Sequence, residues 1–155
     1  MKSKFYFESF WLIVRIFIGI VFVYSGWTKV TAPLENFRGV IAQYEVIPYF
    51  FVPVIAAVLP WLELIFGFFL LTGYMTRFSA LVTSGLCLSF VTLLGVYFFK
   101  TGKFPADCGC FGEGSLIHLS GKQVLMMDSA NALLSLRLFF AKKHPWTLDA
   151  FFSKR

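Results

Sequence analysis

Polar and apolar positions are distributed unevenly along this chain. Four long apolar stretches stand out, with Lys, Arg, Asp and Glu sparse inside them and gathered at their ends. The first runs from about residue 10 to 30, broken by Arg15 and closed by Lys29. The second covers about 50 to 74 and contains Glu63, Pro53 and Pro60; the third, 78 to 99, holds no charge. The fourth, 123 to 141, is the least apolar and carries Asp128, Asn131 and Arg137. A hydrocarbon core about 30 Å thick is crossed by roughly 20 helical residues. The pattern therefore predicts an all-α membrane protein, a bundle of four transmembrane helices. Two longer loops, about 30–49 and 100–121, join spans one to two and three to four.

The basic residues set the expected orientation. Lys2 and Lys4 precede the first span, Arg77 sits in the tight turn between spans two and three, and Lys142, Lys143, Lys154 and Arg155 follow the fourth. With four crossings all of these lie on one side, and the bias of Lys and Arg toward the cytoplasmic face puts both termini there. The two longer loops then face outward, which in a bacterial inner membrane means the periplasm. Tyr24-Ser25-Gly26-Trp27 offers no small-x-small cleavage site, so the first stretch reads as a retained span rather than a signal peptide.

Composition supports the same class. Of the 155 residues, 58% are hydrophobic and 14% charged, well short of the roughly one quarter charged in soluble domains. One bundle, residues 1–155, accounts for the length better than two domains. The formal charge of +6 suits anionic lipid head groups. No polar, aromatic-interleaved surface is left to carry nucleic acid. No phosphate loop, nucleophile elbow or paired-histidine metal motif of a soluble enzyme is present.

The candidate chemistry lies in Asp107-Cys108-Gly109-Cys110-Phe111-Gly112. Two cysteines separated by one residue can approach within bridging distance, and Gly109 permits the bend such a ring needs. A small strained disulfide is readily reduced and hence oxidising, and an outward loop lies where disulfides persist. The residues admit three readings: a redox-active Cys108/Cys110 pair, a structural staple, or a metal site using His118. The metal site is short of the usual four ligands. Asp107 beside Cys108 disfavours its thiolate, whereas Lys103 favours it. Cys87, inside the third stretch, reads as a small apolar filler.

Ionisable residues within the stretches are costly unless paired, so they should face the bundle interior. Their positions predict Arg15 paired with Glu63, and Lys29 with Asp128. Such pairs serve either a polar functional site or helix register. Were a quinone to bind, Trp27 and Trp61 are the candidates to line its pocket. Gly19, Gly26 and Gly67 are read as sites of close helix contact.

Taken together, Arg15-x-x-x-Gly19-x-x-Phe22-x-x-Ser25-Gly26-x-x-Lys29, Tyr44, Pro48, Leu59-Pro60-Trp61-Leu62-Glu63-Leu64-x-x-Gly67 and the cysteine hexapeptide resemble the MauE family. That family belongs to the DoxX-like group of small four-helix membrane proteins. The resemblance runs through roughly residues 10 to 140. It implies a role in methylamine utilisation or a related periplasmic pathway, beside a thioredoxin-like protein that matures the disulfide-rich small subunit of methylamine dehydrogenase. DoxX-like relatives include subunits linked to quinone-reducing sulfur oxidation. The expected function is therefore a membrane thiol–disulfide redox protein acting on a periplasmic thioredoxin-like protein or a disulfide-containing substrate, with electrons passing to a membrane acceptor such as a quinone or, in the reverse direction, to a periplasmic acceptor. A non-catalytic anchor or assembly subunit of a periplasmic or respiratory complex is the rival, and small-molecule transport has only Pro60 beside Glu63 to favour it.

Overall fold

The computed structural model of the chain describes the backbone of residues 2–43, 47–104 and 121–140, and the side chains within them except at 2–8 and 43. All regular structure among these residues is helical: α1 (Lys2–Thr31), α2 (Leu34–Gln43), α3 (Val52–Thr72), α4 (Thr76–Thr101) and α5 (Gly121–Phe140). Three helical stretches are long and apolar enough to cross a membrane: Ser9–Thr31, Val52–Thr72 and Thr76–Thr101. They match the first three predicted spans to within a few residues. The fourth expected span coincides with α5. At 20 residues α5 is about 30 Å long, but Lys122, Asp128, Asn131 and Arg137 keep it out of that apolar class.

Helix ends follow local chemistry. Pro33 disfavours helical backbone at the residue before it and so closes α1. Pro53 lies in the first turn of α3, where its missing N–H is no loss. Gly73 ends α3 in the left-handed conformation (φ 73°) and donates its N–H to Phe69 O at 2.9 Å. Gly102 (φ 67°) does the same for α4, through Phe98 O at 2.8 Å.

The principal helix pairs are α1 with α3 and α4 with α5. Gly19 of α1 faces Gly67 and Leu71 of α3, while Gly26 faces Pro60 and Leu64. The order inverts, so the two helices are antiparallel. A Cβ on Gly26 would lie 2.8 Å from both Pro60 O and Leu64 N. Only a glycine lets the two backbones meet there, as expected of small residues at membrane helix contacts. Gly67 plays the reciprocal part, 2.9 Å from Phe22 Cβ and Val23 N by the same measure.

The α4–α5 seam is built instead from small polar residues. Buried positions on α4 are Thr76, Ser79, Ala80, Thr83, Ser84, Cys87 and Leu94, and on α5 Gly121, Val124, Asp128, Asn131, Ala132, Ser135 and Leu138. They recur at three- and four-residue spacing, so they fall along one face of each helix. Ser84 Oγ donates to Ala132 O at 3.2 Å across the seam, also antiparallel.

The predicted loop at 30–49 contains structure that its polarity concealed. It holds α2, whose Phe37 and Ile41 pack with Val52 and Ala56 at the start of α3. Its outer face carries the exposed Glu35–Arg38 pair. With the helices antiparallel, the end of α1, the start of α3, the end of α4 and the start of α5 share one end of the bundle, and α2 lies across it.

Candidate functional site

Lys29 and Ser25 are one helical turn apart and therefore share a face of α1. The close approach at Gly26 brings that face against Glu63 of α3. Lys29 Nζ donates to Glu63 Oε1 at 2.7 Å, to Glu63 Oε2 at 2.8 Å and to Ser25 Oγ at 3.1 Å. Ser25 Oγ in turn donates to Glu63 Oε2 at 3.0 Å. All three ammonium hydrogens are thus engaged. The Phe37 and Phe90 rings stand 5.2 and 5.1 Å from Nζ, within cation–π range. Lys29 is 4% exposed and Glu63 2%, so this pair has lost nearly all contact with the surroundings.

The expected pairing was different. Arg15 is buried on α1, but it lies 14 residues from Lys29, about 21 Å along the helix. The register set by Gly26 and Gly67 brings Glu63 to Lys29 and leaves Arg15 toward the other end of the bundle. Lys29 and Asp128 do share a site, but as neighbours on one cavity wall rather than as a hydrogen-bonded pair. Gly19, Gly26 and Gly67 make the close helix contacts expected of them.

That cavity lies between α1, α3, α4 and α5. Its polar lining is Ser25, Lys29, Glu63, Cys87, Asp128 and Asn131. Its volume for the centre of a water-sized sphere is about 20 Å³, room for about one water molecule. Asp128 and Asn131 are buried, and among the described residues Asp128 Oδ2 and Asn131 Nδ2 have no hydrogen-bond partner. Sequence reasoning passed over Ser25, Asn131 and the position of Cys87 as site residues. The signal was there for Asn131, which continues the contact line through Val124, Asp128, Ser135 and Leu138. Cys87 itself is 2% exposed and packs in the core with Leu70, Ala80 and Ala132.

The other expectations are placed as follows. Trp27 and Trp61 are 60% and 57% exposed. They point away from the bundle and line no part of the cavity, which is also far too small for a quinone ring. The polar site therefore does not fit a quinone. Among the described residues no group of three His, Cys, Asp or Glu side chains is placed to hold a metal ion. Asp107, Cys108, Gly109, Cys110 and His118 lie outside the described residues. The residues flanking that segment are described: Lys122 Nζ stands 5.9 Å from the Phe104 ring. This contact joins the two sides of the 105–120 connection at the end of the bundle that α2 crosses.

The family model of methylamine utilisation protein MauE matches residues 8–141. The methylamine utilization protein MauE of Paracoccus denitrificans is 31% identical over 101 residues, which is 65% of this chain and 53% of the relative. That of Methylophilus methylotrophus is 30% identical over 99 residues, 64% and 51% of the respective chains. The matched region spans about half the length of these curated relatives. No solved structure matches the chain.

Proposed function

The chain belongs to the MauE family and is a multi-pass membrane protein; on that premise we propose that it is a thiol–disulfide redox protein whose working pair is Cys108 and Cys110. In this reading α5 is a fourth crossing. Its polar residues Asp128 and Asn131 are turned into the bundle, which is how a helix of modest apolarity is accommodated in lipid. Both termini then lie in the cytoplasm, and the 105–120 segment faces the periplasm of a bacterial inner membrane.

The observation that carries this reading is the contact between Lys122 and Phe104. It brings together Phe104 and Lys122, described residues on either side of the cysteine-bearing segment, at the end of the bundle that α2 crosses. In this reading a periplasmic protein meets the motif at that end. By the name of its relatives, the partner belongs to methylamine utilisation, as a thioredoxin-like protein or a protein whose disulfides must be formed.

The chemistry is a balanced exchange. A thiolate of the partner attacks one sulfur of the Cys108–Cys110 disulfide, forming a mixed disulfide and releasing the other cysteine as a thiolate. The partner's second thiolate then attacks its own sulfur in the mixed bond. The partner leaves oxidised by two electrons, and Cys108 and Cys110 are left reduced. The reverse run reduces a partner's disulfide by the same two steps. No step is routed through a quinone, which the polar cavity does not admit.

The test is to replace Cys108 and Cys110 by Ser, singly and together, and to follow the thiol state of periplasmic proteins by alkylation. Each single variant should form a mixed disulfide, resolved by reductant, when its remaining thiolate attacks a partner's disulfide, and the single and double variants alike should stop partner oxidation. Unchanged partner oxidation, with no mixed disulfide trapped, would instead assign the chain to anchoring or assembly.

A further inference from the structure

We propose that the cavity between α1, α3, α4 and α5 is a binding site for one water molecule and one exchangeable proton, the proton carried by the Asp128 carboxyl. This goes beyond the thiol chemistry and does not rest on it.

The first argument is charge balance. From α1 the cavity is faced by Lys29, from α3 by Glu63, from α4 by Cys87 and from α5 by Asp128. The helix lying across this end, α2, contributes the Phe37 ring, while its Glu35–Arg38 pair is exposed. Arg137 is nine residues from Asp128, about 14 Å along α5, and it is exposed. Arg15 is ten residues from Ser25, about 15 Å along α1. Among the described residues, one ammonium therefore stands with two carboxyl groups. All three of its hydrogens are already directed at Glu63 and Ser25. An ionised Asp128 would leave one uncompensated negative charge in a site nearly closed to water, where such a charge is very costly. One further positive charge restores balance. Glu63, Cys87 and Asp128 are not grouped so as to hold a metal ion, and no other such group exists among the described residues, so a proton is the cation assigned to the site.

The second argument is hydrogen bonding. Asp128 Oδ2 and Asn131 Nδ2 are buried without partners among the described residues. They sit three residues apart on one helix and both residues line the cavity. Buried polar groups left unmatched are rare, and an ordered water is their commonest partner. The cavity has room for about one water and offers it at least these two polar contacts. A water accepting from the Asn131 amide and bonded to the Asp128 carboxyl satisfies both atoms. It also gives the carboxyl a carrier through which its proton can exchange.

The experiment is infrared spectroscopy of the purified full chain in lipid nanodiscs, recorded at neutral and alkaline pH in H₂O and D₂O. The expected result is a protonated-carboxyl C=O band at neutral pH that shifts to lower wavenumber in D₂O and disappears in Asp128→Asn. It should also disappear in Glu63→Gln, because Lys29 and Asp128 then balance one to one. Asn131→Ala should move the band without abolishing it, which keeps the test open should Asp128→Asn fail to fold. The double Cys108→Ser/Cys110→Ser variant should retain the band whether or not that pair is redox-active. The proposal is overturned if the wild-type chain has no such band, if the band survives Asp128→Asn, or if replacing K⁺ by Na⁺ at constant pH erases it, which would make this a sodium site.

Discussion

Lys29 lies two residues before the end of α1, yet its ammonium reaches Glu63 midway along α3, 2.7 Å from Oε1. The offset arises because α1 and α3 are staggered, with Gly26 set against Pro60 and Leu64. The segment of α3 from Val52 to Ala56 projects past α1, and α2 fills the resulting step. A residue that reads in the sequence as an end charge is therefore sealed inside.

Removing the cation alone should cost far more than removing the pair. Lys29→Met leaves Glu63 as a lone buried charge and is expected to destabilise the chain by about 3–5 kcal/mol, whereas Glu63→Gln should cost less, because an ionised Asp128 then balances Lys29. Combining Lys29→Met with Glu63→Leu should recover most of that loss. Reversible unfolding of the purified variants in mixed micelles checks both the magnitude and the non-additivity.

The glycines should separate by what lies opposite them. Gly26→Ala places its Cβ 2.8 Å from two backbone atoms, which cannot move aside as a side chain would. It should cost about 1–3 kcal/mol through forced separation of α1 and α3. Gly85 on α4 faces open space, so Gly85→Ala should gain roughly 0.5–1 kcal/mol in helix stability. The same unfolding assay distinguishes the two.

α2 should matter through its inner face alone. Phe37 is buried against Ile41, Val52 and Ala56 and stands over Lys29, so Phe37→Ala should cost about 3–5 kcal/mol. Arg38 takes part in the exposed pair with Glu35 at 2.9 Å, and Arg38→Ala should cost less than about 1 kcal/mol. Hydrogen exchange at the start of α3 should rise in the first variant and stay unchanged in the second.

The proposed orientation is checked by labelling. In a Cys108→Ser/Cys110→Ser background, Cys87 is buried and should not react. Thr101→Cys, at the end of α4, should label in intact cells with a membrane-impermeant maleimide. Tyr74→Cys, in the turn between α3 and α4, should label only after permeabilisation. The opposite pattern would reverse the assignment of the cysteine segment to the outer face.

Sequence alone was sufficient for the apolar, membrane-length parts of α1, α3 and α4 to within a few residues, though not for the start of α1 at Lys2, because hydrocarbon length and the need to satisfy every backbone hydrogen bond leave little choice. It also identified Arg15, Glu63 and Asp128 as residues that turn inward, since burying a charge in lipid forces it toward partners. What it left open was which charges meet. Pairing Arg15 with Glu63 and pairing Lys29 with Glu63 are both compatible with the pattern of apolar positions. The choice was made by backbone sterics, where the missing Cβ atoms of Gly26 and Gly67 let α1 and α3 interlock in a single stagger. α2 was hidden for a related reason: the apolar face of Phe37 and Ile41 is short, and it has somewhere to go only once that stagger leaves the start of α3 uncovered.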